Sequence, residues 1–163
     1  MNRPLALAAL AAVLLMAACA SGGAHPFEAT AYEYNINASP QVNSRKFGCS
    51  VKRFEEGVVR VIEIRNFISQ KPEPDITVKI VTSSDTAASV IYNGKMEKIA
   101  EYPRGKYVNE NLMLFTGGDD QRKITGRWFT DSNYLMSDFA INDDKGVLLY
   151  KETVIYTAKS PSR

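Results

Sequence analysis

Hydrophobic and polar positions alternate with a period of two along most of this chain, and no helical stripe of comparable length competes with that pattern. Tyr32, Tyr34 and Ile36 alternate in the first candidate strand, and Phe47, Cys49 and Val51 alternate against Gly48, Ser50 and Lys52 in the next. Val58 to Ile68 carries the β-branched residues Val59, Val61, Ile62 and Ile64, and Asp75 to Thr82 sets Ile76, Val78 and Ile80 against Thr77 and Lys79. Phe54, Val58, Val61, Ile62 and Arg65 also fall at helical spacing. Branching at Cβ costs rotamer freedom in a helix, so the strand is the stronger reading there.

Turn chemistry divides these runs. Lys71-Pro72-Glu73-Pro74 interrupts the chain, because proline donates nothing to a ladder. Asn93-Gly94, between Thr86–Tyr92 and Lys95–Tyr102, predicts a two-residue type I′ hairpin that pairs Tyr92 with Lys95 and Ile91 with Met96. Gly117-Gly118-Asp119-Asp120 turns the chain after a strand at Tyr107–Phe115, and Asn142-Asp143-Asp144-Lys145-Gly146 does so between Tyr134–Ile141 and Val147–Thr157. The result is an all-β expectation: a single antiparallel meander of about eight to ten strands, forming a small barrel or a strongly curled sheet or sandwich.

The first 19 residues break the pattern. Met1-Asn2-Arg3 is basic, Pro4 to Ala18 is apolar almost without interruption, and the run ends at Cys19, which reads as an export signal. Leu15-Met16-Ala17-Ala18-Cys19 resembles the lipobox of bacterial lipoproteins, with Met16 where Leu is usual; the resemblance covers the signal alone. It implies cleavage before Cys19, a lipid on the Cys19 sulfur and, since Ala20 rather than Asp follows, residence at the outer membrane. The competing reading is a general signal-peptidase site at Ala18-Cys19-Ala20, which would leave a soluble periplasmic or secreted protein. Roughly 15 apolar residues fall short of the ~20 that cross a bilayer as a helix. The expected organisation is signal at 1–18, lipidated Cys19 and a flexible tether at 19–26, a β-rich domain at 27–158 and a loose tail at 159–163.

Either mode of processing leaves Cys49 as the one free thiol, so the mature chain forms no internal disulfide, and the alternation around Cys49 predicts its burial. The roughly 144 residues that remain suffice for one core without disulfide or metal. The formal charge of +2 falls by one when Arg3 is removed, and no basic stripe suits nucleic acid. Arg60, Glu63, Lys79 and Lys151 interrupt any lipid-facing band, which argues against a transmembrane barrel.

Catalytic patterns are sparse. The one histidine, His25, lies in the tether, which excludes a histidine-dependent triad and Cys/His zinc sites by count, and no phosphate-cradling loop or Gly-x-Ser-x-Gly elbow is present. The adjacent acids Glu55-Glu56, Asp119-Asp120 and Asp143-Asp144 point to opposite faces if extended, so none makes a paired site alone, and no cofactor or metal is expected. Trp128, Tyr32, Tyr34, Tyr92, Tyr134 and Tyr150 are the candidates to line a ligand cavity, or else to fill the interior. Arg127-Trp128 resembles the Arg–Trp packing of lipocalin-like barrels, although their early Gly-x-Trp signature is missing from residues 27–45. Asn93, Gly94, Asp119, Asp120, Asp143 and Asp144 are the turn tips best placed to meet a partner.

These features point to a lipid-anchored, non-enzymatic binding module for an envelope protein. A lipocalin-like carrier of a small apolar or cell-wall-derived ligand is the alternative, and a carboxylate-dependent hydrolase the second alternative. A carrier requires a cavity lined by Trp128 and tyrosines; an interaction module requires a filled core and an exposed apolar patch.

Overall fold

The computed structural model describes residues 26–109 and 111–159, together with the backbone but not the side chains of Pro103 and Arg104. The export signal, Cys19, His25 and the last four residues lie outside the described residues. Ten strands follow one another: β1 (Phe27–Asn35), β2 (Val42–Glu56), β3 (Val59–Phe67), β4 (Ile76–Ser83), β5 (Thr86–Asn93), β6 (Lys98–Asn109), β7 (Leu112–Gly118), β8 (Arg122–Thr130), β9 (Tyr134–Asp143) and β10 (Leu148–Ala158). Each pairs antiparallel with its neighbours in sequence, and β1 pairs with β10 from Phe27↔Ala158 to Asn35↔Tyr150, so the meander closes into a barrel. Closure leaves no unpaired edge.

Val58 to Ile68 is a strand, not a helix: it supplies β3, whose Ile62, Ile64 and Asn66 pair with Arg53, Val51 and Cys49 of β2 and point inward. Two local expectations are corrected. The strand expected at Tyr107–Phe115 is two strands, because Asn109 Oδ1 accepts the Asn111 N–H at 2.9 Å and turns the chain between β6 and β7.

The β5–β6 turn is also not a two-residue hairpin: Tyr92 pairs with Lys98, and the loop runs from Gly94 to Glu97. Asn93 Oδ1 accepts the N–H groups of Lys95 and Glu97, both at 3.0 Å, while Met96 N donates to Asn93 O at 2.9 Å. The left-handed residue is Met96, at φ 61°, and not Gly94. Gly94 instead gives clearance, since a Cβ there would stand 3.0 Å from Pro74 O.

The loops at 36–41, 68–75, 94–97, 119–121 and 144–147 gather at one end of the barrel, called the mouth below. The other end holds the turns at 57–58, 84–85 and 131–133, Asn111 between β6 and β7, and both ends of the described chain, where Lys159 N donates to Pro26 O at 2.8 Å. Phe27, Cys49, Ile80, Met113, Phe115 and Leu135 belong to the apolar core between them. Outside the barrel, charges pair along and across strands: buried Glu63 meets Arg65 of its own strand at 2.7 Å and Lys79 at 3.4 Å, and Asp138 meets Arg127 at 3.2 Å and Lys151 at 3.3 Å.

Candidate functional site

Toward the mouth the interior holds a cavity of about 200 Å³. Strand alternation supplies its lining: Tyr150, Glu152, Val154 and Tyr156 are every second residue of β10, and Ser137, Phe139 and Ile141 every second residue of β9. Phe139 reaches in because Gly126 lies opposite it; a Cβ at Gly126 would fall 2.2 Å from the Phe139 ring. The ring of Phe139 then packs against Tyr102 with centroids 5.5 Å apart, and Trp128 stacks on Tyr156 at 5.9 Å. Ile68, Ile76, Ile91, Ile124 and Ile141 line the cavity as half-buried residues near the mouth loops, an apolar collar around its opening.

Polar groups are set deep among these rings. Asn66 is 5% exposed, Ser89 1% and Trp128 3%, and Asn66 Oδ1, Ser89 Oγ and Trp128 Nε1 have no hydrogen-bond partner. A buried polar atom without a partner typically costs about 1–3 kcal/mol; of the five such side-chain atoms among the described residues, these three line the cavity, while Thr77 Oγ1 and Asn142 Oδ1 do not. Burial raises the Tyr156 phenol strongly, while hydrogen bonds with the Asn66 and Ser137 side chains pull it back in part. Burial, then the charges of Glu152 and Glu33, push Tyr150 up to about 12. Both phenols are therefore neutral hydroxyls at physiological pH.

The charged groups of the lining sit where it meets solvent. Arg45 Nη2 donates to Glu152 Oε1 at 3.2 Å, and the two side chains are 49% and 30% exposed. Glu152 is held above its ordinary 4.5 by burial, with Arg45 opposing and its cross-strand partner Glu33 adding to the rise. The three unpartnered atoms belong to the uncharged residues Asn66, Ser89 and Trp128.

Of the aromatic residues singled out in the sequence, Trp128 and Tyr150 line the cavity. Tyr32, Tyr34, Tyr92 and Tyr134 do not. Tyr32 and Tyr34 share the outward face of β1, because Ala29 and Ala31 take the inward one; Tyr92 lies beneath the Lys79 ammonium and Tyr134 against Phe129. Arg127 is outside with Asp138 while Trp128 is inside, so the two are not stacked as in lipocalin-like barrels. Tyr102, Tyr156, Phe139, Asn66 and Ser89 escaped notice. The signal for Asn66 and Ser89 was a polar residue in phase with inward apolar neighbours, Ile64 and Ile68 for one, Ala87 and Ile91 for the other.

The turn tips Asn93, Gly94, Asp119, Asp120, Asp143 and Asp144 all stand at the mouth. Three of them are occupied with the backbone: Asn93 as above, Asp119 Oδ1 with the Gln121 and Arg122 N–H groups, and Asp143 Oδ1 with those of Lys145 and Val147. The N–H groups of Arg122 and Gln121 hold the Asp119 carboxyl below its usual range. Glu55-Glu56 closes β2 at the opposite end, so the three acidic pairs do not converge. Cys49 is fully buried, as expected, and burial pushes its thiol up to about 12. Among the described residues no group of three or more His, Cys, Asp or Glu side chains is placed to hold a metal, and no helix is long and apolar enough to cross a membrane.

A wider cleft of about 470 Å³ lies at the far end, lined by Arg53, Phe54, Arg60, Val61 and Met113 among others. Its most prominent cation is already engaged, since the Arg53 guanidinium donates to the carbonyls of Asp131 and Ser132. None of the buried polar atoms left without a partner belongs to its lining. The smaller cavity is the better candidate.

No protein-family model and no curated protein matches the chain. Among solved structures, the S-type phycobiliprotein lyase CPES from Guillardia theta is similar at a TM-score of 0.50 and 8% identity, covering 91% of this chain and 94% of that one. At that identity the likeness speaks to the barrel alone.

Proposed function

We propose that this chain is a lipid-anchored envelope protein whose barrel carries a small apolar ligand, without catalysis. The observation that supports carriage is the cavity lined by aromatic and isoleucine side chains, with three buried polar atoms left without partners. A cavity of about 150 Å³ takes a single aromatic ring, so one of this size favours a compact ligand. The likeness to a barrel named a phycobiliprotein lyase is compatible with an interior used for binding. A partner-protein module is the weaker reading: the exposed apolar residues, such as Val42 and Leu114 on strands and Val58 and Met96 in turns, are spread over both ends of the barrel.

The anchor rests on the resemblance of Leu15 to Cys19 to a lipobox. A tether over 20–26 reaches at most ~25 Å. Because Pro26 enters at the end away from the mouth, a lipid on Cys19 would hold that end toward the membrane and leave the cavity opening to the aqueous side.

Mass measurement of the protein extracted gently from its native membrane tests both parts. The denatured mass should begin at an acylated Cys19; a start at Ser21 or later overturns the anchor. The native mass should exceed the denatured one by on the order of 100–300 Da, the size of a one- or two-ring compound. Equal masses overturn carriage.

A further inference from the structure

Resting on the carrier reading, we infer that the ligand is an uncharged aromatic compound whose polar head carries both a hydrogen-bond donor and an acceptor and is inserted head first. The unpartnered atoms state the requirement. Trp128 Nε1–H donates only, so it needs an acceptor; Asn66 Oδ1 accepts only, so it needs a donor; the Ser89 hydroxyl serves either way. A primary amide or a phenolic hydroxyl offers both functions on one small group. A carboxylate offers acceptors alone, leaving Asn66 Oδ1 unmet.

Charge points the same way. The deep wall has neutral Asn66, Ser89, Ser137 and Tyr156, whereas Arg45 is nearer solvent and already paired with Glu152. An ionised head placed beside Trp128 would be desolvated, and the one cation of the lining, Arg45, is already paired with Glu152. Orientation follows from where polarity and greasiness lie: the unpartnered atoms are more than nine-tenths buried, and the half-buried isoleucine collar is apolar. The ring slots between Trp128, Tyr102 and Phe139, and any apolar extension points out through the collar. This is the reverse of a carrier that buries a tail and leaves its head in water.

Three probes separate the elements of the inference when titrated into the purified full chain: benzamide, toluene and benzoate at pH 7, followed by calorimetry and by the emission of Trp128, the only tryptophan. Benzamide should bind about tenfold or more tighter than either of the others, the scale set by one or two buried hydrogen bonds made or missed. In Ser89→Ala and Trp128→Phe, read by calorimetry, benzamide should weaken about fivefold or more while toluene changes little. Toluene binding as tightly as benzamide overturns the polar head and keeps the cavity as an apolar site. Benzoate binding tightest overturns neutrality and moves the head to Arg45. Silence with all three overturns the inference, and the carrier reading beneath it then stands or falls separately on the co-purified mass.

Discussion

Toward the end where Pro26 meets Lys159, the interior side chains Phe27, Cys49 and Leu135 are almost wholly buried, and they belong to one packed cluster. Toward the mouth, Asn66, Ser89 and Trp128 are equally hidden from water, yet each keeps a polar atom without a partner beside open volume. The same strands build both regions, so the contrast is not one of scaffold. It separates residues that fill the core from residues that keep an unpartnered polar atom at a cavity wall.

The contrast breaks most visibly through stability. Leu135→Ala should cost about 2–5 kcal/mol in denaturant unfolding, as expected for a large residue deleted from a filled core. A loss below 1 kcal/mol would show that the packed region is no tighter than the cavity. Ser89→Ala, in the absence of ligand, should go the other way and stabilise by about 1–2 kcal/mol, because it removes an unpartnered hydroxyl rather than a contact. Destabilisation there would mean that the hydroxyl is satisfied in solution. Thiol labelling sharpens the same boundary: Cys49, fully buried and held protonated, should react with a maleimide only after unfolding.

The Glu152 carboxyl tests the rim. Its folded value is raised, so the proton-binding gain is complete below the unfolded value near 4.5 and is lost as pH rises through the folded one. Stability should therefore decline with rising pH across that window, and Glu152→Gln should flatten the decline. Asp138, on the outer wall, has the opposite sign. Burial there is outweighed by the Thr153 and Lys151 hydrogen bonds and by the charges of Lys151 and Arg127, so its stabilisation is lost as pH falls through its depressed value. Equal pH profiles for the wild type and Glu152→Gln would count against a strained carboxylate at the rim.

Most of the architecture was legible because it is local. Period-two alternation and the Asx-type turns define the meander strand by strand, without reference to distant residues. Which face of each strand turns inward was harder, because it depends on complementary volumes across strands. Ala29 lies between Phe47 and Tyr156, its cross-strand partners on either side, so two large side chains share the space that the alanine vacates. From β1 alone, Tyr32 and Tyr34 look like the buried set; only the neighbouring strands show that they are not. The cavity-lining Phe139 depends in the same way on Gly126 across the ladder.

The turn at Asn93, set beside the correctly read turn at Asp143, shows how local chemistry misled. Both place an Asn or Asp oxygen on two backbone N–H groups, and both put the third loop residue at positive φ, Met96 at 61° and Gly146 at 83°. Only the second turn has glycine where the backbone needs it. Met96→Gly should therefore stabilise by about 0.5 kcal/mol, the left-handed penalty less the entropy of a glycine, the smallest effect among these tests. No gain in melting temperature would show that the Met96 side chain compensates by packing.

Ring closure has a kinetic consequence. Nine of the ten strand pairings join neighbours in sequence and zip up through short loops; the seam between β1 and β10 alone joins the two ends of the domain. Closing so long a loop carries the largest chain-entropy cost and comes naturally last. Until it closes, the sheet exposes two free edges, each able to pair with another chain. A newly made molecule is thus most prone to strand exchange just before its own ends meet, and anything that keeps Phe27 near Ala158 shortens that interval.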